Sequence, residues 1–157
     1  MKLKSTFQAR FPAPFGMLGI QCTDEVLTGI TFLSATMKSQ STNNSFVKEI
    51  CRQLNAYFFA EDFQFDLPLQ LNGTEHQLKV WNSLQEIPCG QMRTYGDVAK
   101  LVQSSPRAVG QACGNNPIPI VIPCHRIVGK SGLGGFMHSS EGKELNIKHW
   151  LLTHEQR

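Results

Sequence analysis

"TYGDVAKLVQSSPRAVGQACGNN", residues 94–116, holds two short amphipathic stretches on either side of a polar turn. Tyr95, Val98, Ala99 and Val102 fall at i, i+3, i+4 and i+7, the spacing of one helix face. Thr94 stands where a helix N-cap belongs. "QSSP" breaks the pattern, and Pro106 suits the first turn of a second helix running towards Asn116. Two short helices across a tight turn predict a helix-turn-helix. The second helix has Ala108 and Ala112 four apart, and Gly110 and Gly114 four apart, so one side is nearly bare. A helical glycine costs up to about 1 kcal/mol relative to alanine, so two of them need a reason. One reason is close packing of a neighbouring helix. The other is close approach of a foreign backbone, such as a nucleic-acid strand, with Arg107 facing it. The small face by itself does not separate the two.

Downstream lies "IPIVIPCHRIVGKSGLGGF", residues 118–136. An apolar run stops at Pro123. Cys124, His125 and Arg126 follow, then a glycine-rich loop. The thiol reads as a packing residue, half of a disulfide, a metal ligand or a nucleophile. Cysteines fall at 22, 51, 89, 113 and 124, an odd count with no C-x-x-C. That argues against a disulfide framework and against a structural zinc site, and for free thiols in a reducing cytoplasm. A reactive cysteine needs partial exposure and a lowered pKa. In an extended segment Cys124 and His125 point opposite ways, so His125 reaches the thiol through a water while Arg126 supplies positive potential. A turn entered through proline and left through glycines suits an exposed, reactive thiol better than an inert one.

The rest of the chain sets the frame. Its 157 residues, 41% hydrophobic, suit a soluble fold with a real core. No stretch is long and apolar enough for a membrane span, and no apolar segment follows the N-terminal lysines as a secretory signal requires. The net charge of +3 permits nucleic-acid binding without demanding it. Residues 3–35, including "KLKSTFQA", read as strands with turns. Residues 46–58 read as an amphipathic helix on Phe46, Ile50, Leu54 and Phe58, and 63–71 as an extended edge piece around Pro68. Thr74 and Gln77 form a capping box for a helix carrying Leu78, Trp81 and Leu84. The expected class is α+β, with an N-terminal lobe of sheet plus helix over 1–71 and a mainly helical lobe over 72–157.

The motifs carry a family resemblance. "IPCHRIV" resembles the active-site signature of the O6-alkylguanine-DNA alkyltransferases, the methylated-DNA–protein-cysteine methyltransferases. "VWNSLQEIPCGQMRTYGDVAKL" and "SPRAVGQACGNNPIPIVIPCHRIV" are similar to that family almost continuously from 80 to 128, and "KHWLLTHE" is similar to its last helix. The resemblance implies a ribonuclease H-like N-terminal lobe and a winged-helix-like C-terminal one. It implies Cys124 as the alkyl acceptor, His125 as proton acceptor through a water, and Glu155 as the group orienting His125. It makes Tyr95 a donor to the leaving base and Asn116 the tie between the DNA-binding helix and the active-site segment. Arg107 matches the finger that fills the gap left by a rotated-out base. Ala108, Gly110, Thr94 and Tyr95 would meet the minor groove of double-stranded DNA, and Pro123, Gly135 and Phe136 would shape the alkyl pocket.

Each of these residues also has a plain structural reading. Tyr95 is a core residue on its helix stripe, His125 a solvated surface histidine, Glu155 an exposed glutamate, and Asn116 a turn former before proline. The implied protein is a cytoplasmic monomer without cofactor or metal. It moves methyl or small alkyl groups from O6 of guanine, and from O4 of thymine, irreversibly and once per molecule. "GGFMHSSEGKELNIKHW" departs from the family's short link of small residues, so Met137 and the loop to 144 bear on substrate size. The competing readings are a non-catalytic binder of alkylated DNA, which would lack the cysteine, and a thiol hydrolase, which would not need the helix-turn-helix.

Overall fold

A three-stranded antiparallel meander forms the N-terminal unit of the computed structural model, which describes residues 6–60, 62–139 and 142–156. The chain divides into two units, Met1–Gln70 and Leu71–Arg157. In the first, β1 (Ala9–Ala13), β2 (Gly16–Thr23) and β3 (Val26–Leu33) follow each other in space as in sequence. The two-residue turn after Ala13 pairs Ala13 with Gly16 and runs the register back to Ala9 opposite Ile20. The stretch "KLKSTFQA", read as strand, reaches β1 at its last residue, Ala9, with Gln8 N already bonded to Ile20 O. Residues 2–5 lie outside the described part. Pro12 is tolerated because β1 is an edge, where Arg10 and Gln40 exchange backbone hydrogen bonds on the outer side.

Helix α1 (Ser45–Phe59) starts at Asn44, whose side chain accepts from the Val47 amide. It buries Val47, Ile50, Leu54 and Tyr57. Gln53 is buried too, because its amide donates to Asp66 O at 2.9 Å and accepts from Asp66 N at 2.8 Å. The segment 63–71 is therefore not a continuous strand. It is held by Gln53 and by one parallel bridge, Leu27 to Leu69.

The second unit is mainly helical. Helix α2 (Glu75–Leu84) opens with the Thr74–Gln77 capping box. A two-residue strand, β4 (Arg93–Thr94), leads into α3 (Tyr95–Val102), where Thr94 caps through Asp97 N. Gln103 ends α3 in the left-handed region, and Ser105 caps α4 (Pro106–Gly114), with Pro106 in its first turn. Trp81 is buried and donates its indole N–H to Ala112 O at 2.8 Å, tying α2 to α4. Residues 117–123 fold back on themselves, with Ile122 N bonded to Ile118 O and Ile118, Ile120 and Ile122 buried. A single 3-10 turn, Cys124–Arg126, then leads to β5 (Ile127–Val128), which pairs in parallel with β4. Helix α5 (Lys143–Glu155) follows. Among the described residues no helix is long and apolar enough to cross a membrane.

Candidate active site

The 3-10 turn decides the geometry at Cys124. An extended backbone would alternate side chains across the chain. The turn instead buries all three, with Cys124 on the cavity and His125 and Arg126 both reaching Glu155. Cys124 is 3% exposed and opens on a cavity of about 460 Å³. The expectation of an exposed thiol is therefore corrected: the folded-back apolar segment before it and the glycine loop after it enclose it. Pro123, expected in the pocket wall, is buried just before the turn and is not among the residues lining the cavity. Gly135 and Phe136 do line the cavity, with Tyr95, Arg107, Gly110 and Cys113.

His125 is fully buried. Its Nε2–H donates to Glu155 Oε2 at 2.7 Å, which leaves Nδ1 as the bare acceptor nitrogen, buried and without a protein partner. Burial pulls the imidazole pKa down, against the pull of Glu155, so the ring stays neutral and able to accept a proton. Glu155, buried rather than exposed, is gripped by Arg126, which donates to Oε1 and Oε2 at 2.9 Å each. Burial pushes the Glu155 carboxyl up, but hydrogen bonds from His125 and Arg126 outweigh it and hold it well below the usual carboxylate range. Arg126 spends its remaining reach on Ile87 O at 2.7 Å. Its charge is thus neutralised by Glu155 and does not serve as free positive potential for the thiol.

Asn116 sits just past α4 and is buried. It donates to Ile122 O at 2.8 Å and accepts from Ile118 N at 2.9 Å, fixing the fold-back that delivers Cys124. Burial pushes Cys124 up to about 11, and the Asn116 contact and the Lys148 charge pull against it. Tyr95 is half-buried on the cavity wall and donates to Gly135 O at 3.3 Å. Burial, then negative charge on Cys113 and Cys124, push its phenol to about 12, so it remains an O–H donor. Gly134 has φ +75°, and a Cβ there would lie 2.8 Å from the Tyr95 ring, so this turn requires glycine.

The two glycines of α4 prove to have different reasons. A Cβ at Gly114 would lie 2.4 Å from the His138 ring, so Gly114 is a packing glycine. A Cβ at Gly110 would meet Tyr95 at an ordinary 3.8 Å. Nothing inside the protein requires that bareness, and Gly110 faces the cavity beside exposed Arg107. Ala108 is half-buried and outside the lining, and the Thr94 hydroxyl is occupied in capping α3. The divergent loop closes as a two-residue turn, with Phe136 and Ser139 exchanging backbone bonds and Met137 and His138 at φ 51° and 66°. Both side chains line the cavity, and His138 is held by Asn115 Oδ1 at 2.9 Å.

Lys148 was not among the residues singled out from sequence. It is 0% exposed, and its ammonium donates to Ile127 O, Leu133 O and Gly135 O at 2.6, 2.6 and 2.8 Å. Three donors on three carbonyls saturate the group and pin both ends of the glycine loop. Burial brings its pKa down to about 8, which still leaves it a cation at neutral pH, and negative charge developing on Cys124 or Cys113 raises it. Its signal in the sequence was a helical stripe, 148, 151, 152 and 155, whose two middle members are leucines and whose ends are charged. Among the described residues no cluster of side chains suits a metal ion.

Family models and solved structures resemble this arrangement throughout. The model for the 6-O-methylguanine DNA methyltransferase DNA-binding domain matches residues 75–157, and that for the ribonuclease-like domain matches residues 8–71. A methylated-DNA–protein-cysteine methyltransferase of Methanosarcina acetivorans is 40% identical over 150 residues, covering 90% of this chain and 96% of its own. The structure of Mycobacterium tuberculosis OGT in complex with DNA aligns with a TM-score of 0.78 at 36% identity, over 94% of this chain and 91% of that one. An O6-methylguanine DNA methyltransferase from Methanococcus jannaschii aligns with a TM-score of 0.65 at 29% identity, over 94% and 92%.

Proposed function

The chain belongs to the 6-O-methylguanine DNA methyltransferase family, and from that premise we propose how its own residues perform the reaction. It is a DNA-repair methyltransferase that binds DNA and moves an alkyl group from the damaged base to one of its own cysteines. Cys124 is that cysteine. The observation that carries the assignment is its position: a buried thiol on the wall of a cavity, adjoining a neutral histidine held by a carboxylate. The sulfur attacks the alkyl carbon on O6 of guanine. The S–C bond forms as the C–O bond breaks, and the electron pair leaves with the base. The thiol proton passes through a water to His125 Nδ1, while Glu155 stabilises the imidazolium that results. Tyr95 donates to the base as negative charge grows on it.

Chemistry on a base needs that base outside the stack. Arg107, exposed at the start of α4 on the cavity rim, fills the space it leaves. The bare side of α4 at Gly110 lets the helix sit close in the minor groove. Binding through the phosphates is independent of sequence and weakens with salt. A thioether is a poor leaving group, so each molecule reacts once, and the alkyl group on O4 of thymine is open to the same attack. The protein works as a monomer without a cofactor. None of its described cysteines is in a disulfide, which supports a cytoplasmic setting.

The test is a stoichiometric reaction with duplex DNA carrying O6-methylguanine, followed by peptide mass analysis. One methyl group on the peptide bearing Cys124, with no turnover beyond one lesion per protein, is expected. Loss of the lesion with that peptide unmodified overturns the assignment.

A further inference from the structure

Cys113 has no part in the reaction just described, yet it lines the acceptor cavity together with Cys124. It sits on α4 between Gly110 and Gly114 and is 7% exposed. Two thiols on one cavity wall are more than a transfer of methyl requires. We propose that Cys113 captures the far end of a bifunctional alkyl group: when the group taken up by Cys124 carries a leaving group on its second carbon, Cys113 closes a thioether bridge to Cys124. The inference rests on Cys124 being the alkyl acceptor.

The step balances without an oxidant or cofactor. Transfer of a chloroethyl group leaves Cys124 as a thioether with chlorine on the outer carbon. The thioether sulfur displaces chloride and forms a three-membered sulfonium ring. Cys113 sulfur then attacks a ring carbon, one C–S bond forms as another opens, and the Cys113 proton leaves with chloride as hydrochloric acid. The product is an ethylene unit joining the two sulfurs. Burial, and then negative charge on Cys124, hold the Cys113 thiol up at about 12, so it stays protonated in the resting protein. A sulfonium cation formed beside it reverses that field and favours the thiolate. The cavity confines the electrophilic carbon between Tyr95, Gly110, Cys113 and Phe136. Such confinement raises the effective concentration of a neighbouring group by orders of magnitude over solution.

The experiment uses the full chain with two duplexes, one carrying O6-methylguanine and one carrying a chloroethyl group at the same oxygen. The products are denatured, free thiols are blocked with iodoacetamide, and the peptides are mapped. With the chloroethyl duplex the expected result is loss of two free thiols per protein, with the Cys113 and Cys124 peptides joined by one ethylene unit. In Cys113→Ser only one thiol should be lost. Cys124 carrying a hydroxyethyl group or a DNA strand while Cys113 stays free overturns the proposal, as does loss of a second thiol in Cys113→Ser. Transfer from the methyl duplex but none from the chloroethyl duplex overturns it alone. No modification of Cys124 by either duplex overturns the acceptor assignment and the bridge together.

Discussion

Arg126 grips both oxygens of Glu155 at 2.9 Å, and His125 donates to one of the same oxygens at 2.7 Å. One buried carboxylate therefore serves as structural counter-ion and as orienter of the proton acceptor. Its loss should show in two measurements. Glu155→Ala leaves a buried arginine unpaired, a change that costs about 3–5 kcal/mol, and urea melts at neutral pH will read it. Glu155→Gln keeps the shape without the charge and should fall between. The carboxyl is held below its ordinary value in the folded state. Its contribution is therefore complete above the unfolded pKa of about 4.3 and fades as pH falls through the depressed folded value. The gap between wild type and Glu155→Gln should narrow on acidification. A gap that stays constant from neutral pH to the acid limit would contradict the pairing.

The Cys124 thiol, pushed up to about 11 by burial, should react more slowly than a solvent-exposed thiol in the free protein. Its rate with iodoacetamide should climb throughout the range of about pH 7 to 10, as the thiolate fraction grows towards the pKa. A plateau below about pH 8.5, the value of an ordinary thiol, would show that burial does not control it.

Lys148 combines a charge and a geometry, and two substitutions separate them. Lys148→Met removes both. It strands three carbonyls, each unsatisfied group costing about 1–3 kcal/mol, and moves the Cys124 alkylation profile to higher pH. Lys148→Arg keeps the cation, but its planar fork cannot reach three converging carbonyls. It should restore the alkylation profile more fully than the urea midpoint. An unchanged profile in a folded Lys148→Met protein would remove Lys148 from the electrostatics of the thiol.

Arg107 is exposed on the cavity rim at the start of α4. Arg107→Ala should slow repair of a duplex lesion by about ten-fold or more, equivalent to about 1.4 kcal/mol or more of lost stabilisation. Reaction with free benzylguanine, which needs no base rotation, should change little. Equal losses on the two substrates would exclude a finger role.

Met137 occupies the left-handed region at φ 51°, where a side chain costs about 1–2 kcal/mol. Met137→Gly should relieve that strain, giving back part of it as a raised urea midpoint. It should also widen the cavity wall and raise the ratio of benzyl to methyl transfer rates. A fixed ratio would place size selection elsewhere.

Much of the helical unit was legible because its signals are local. The Thr74–Gln77 capping box, the Thr94 cap and Pro106 at a first turn each depend on residues within four positions. The acceptor turn was misread because an apolar run ending in proline looks extended. The fold-back of 118–122 is imposed by the Asn116 side chain bridging Ile118 and Ile122, a tertiary constraint with no periodic signature. Lys148 escaped notice because a lysine is ordinarily solvated. Only the carbonyls of a distant loop make its burial tolerable.

Helix α5 brings Lys148 and Glu155 to the active-site segment from one rigid rod, two turns apart. The nucleophile comes earlier in the chain than either of them. A polypeptide interrupted between Cys124 and Lys148, by a stalled ribosome or a protease, would carry the thiol without its loop anchor and without the carboxylate that holds His125. Such a fragment would be chemically idle. Competence to consume itself in a single reaction is thereby withheld until the polypeptide is long enough to fold.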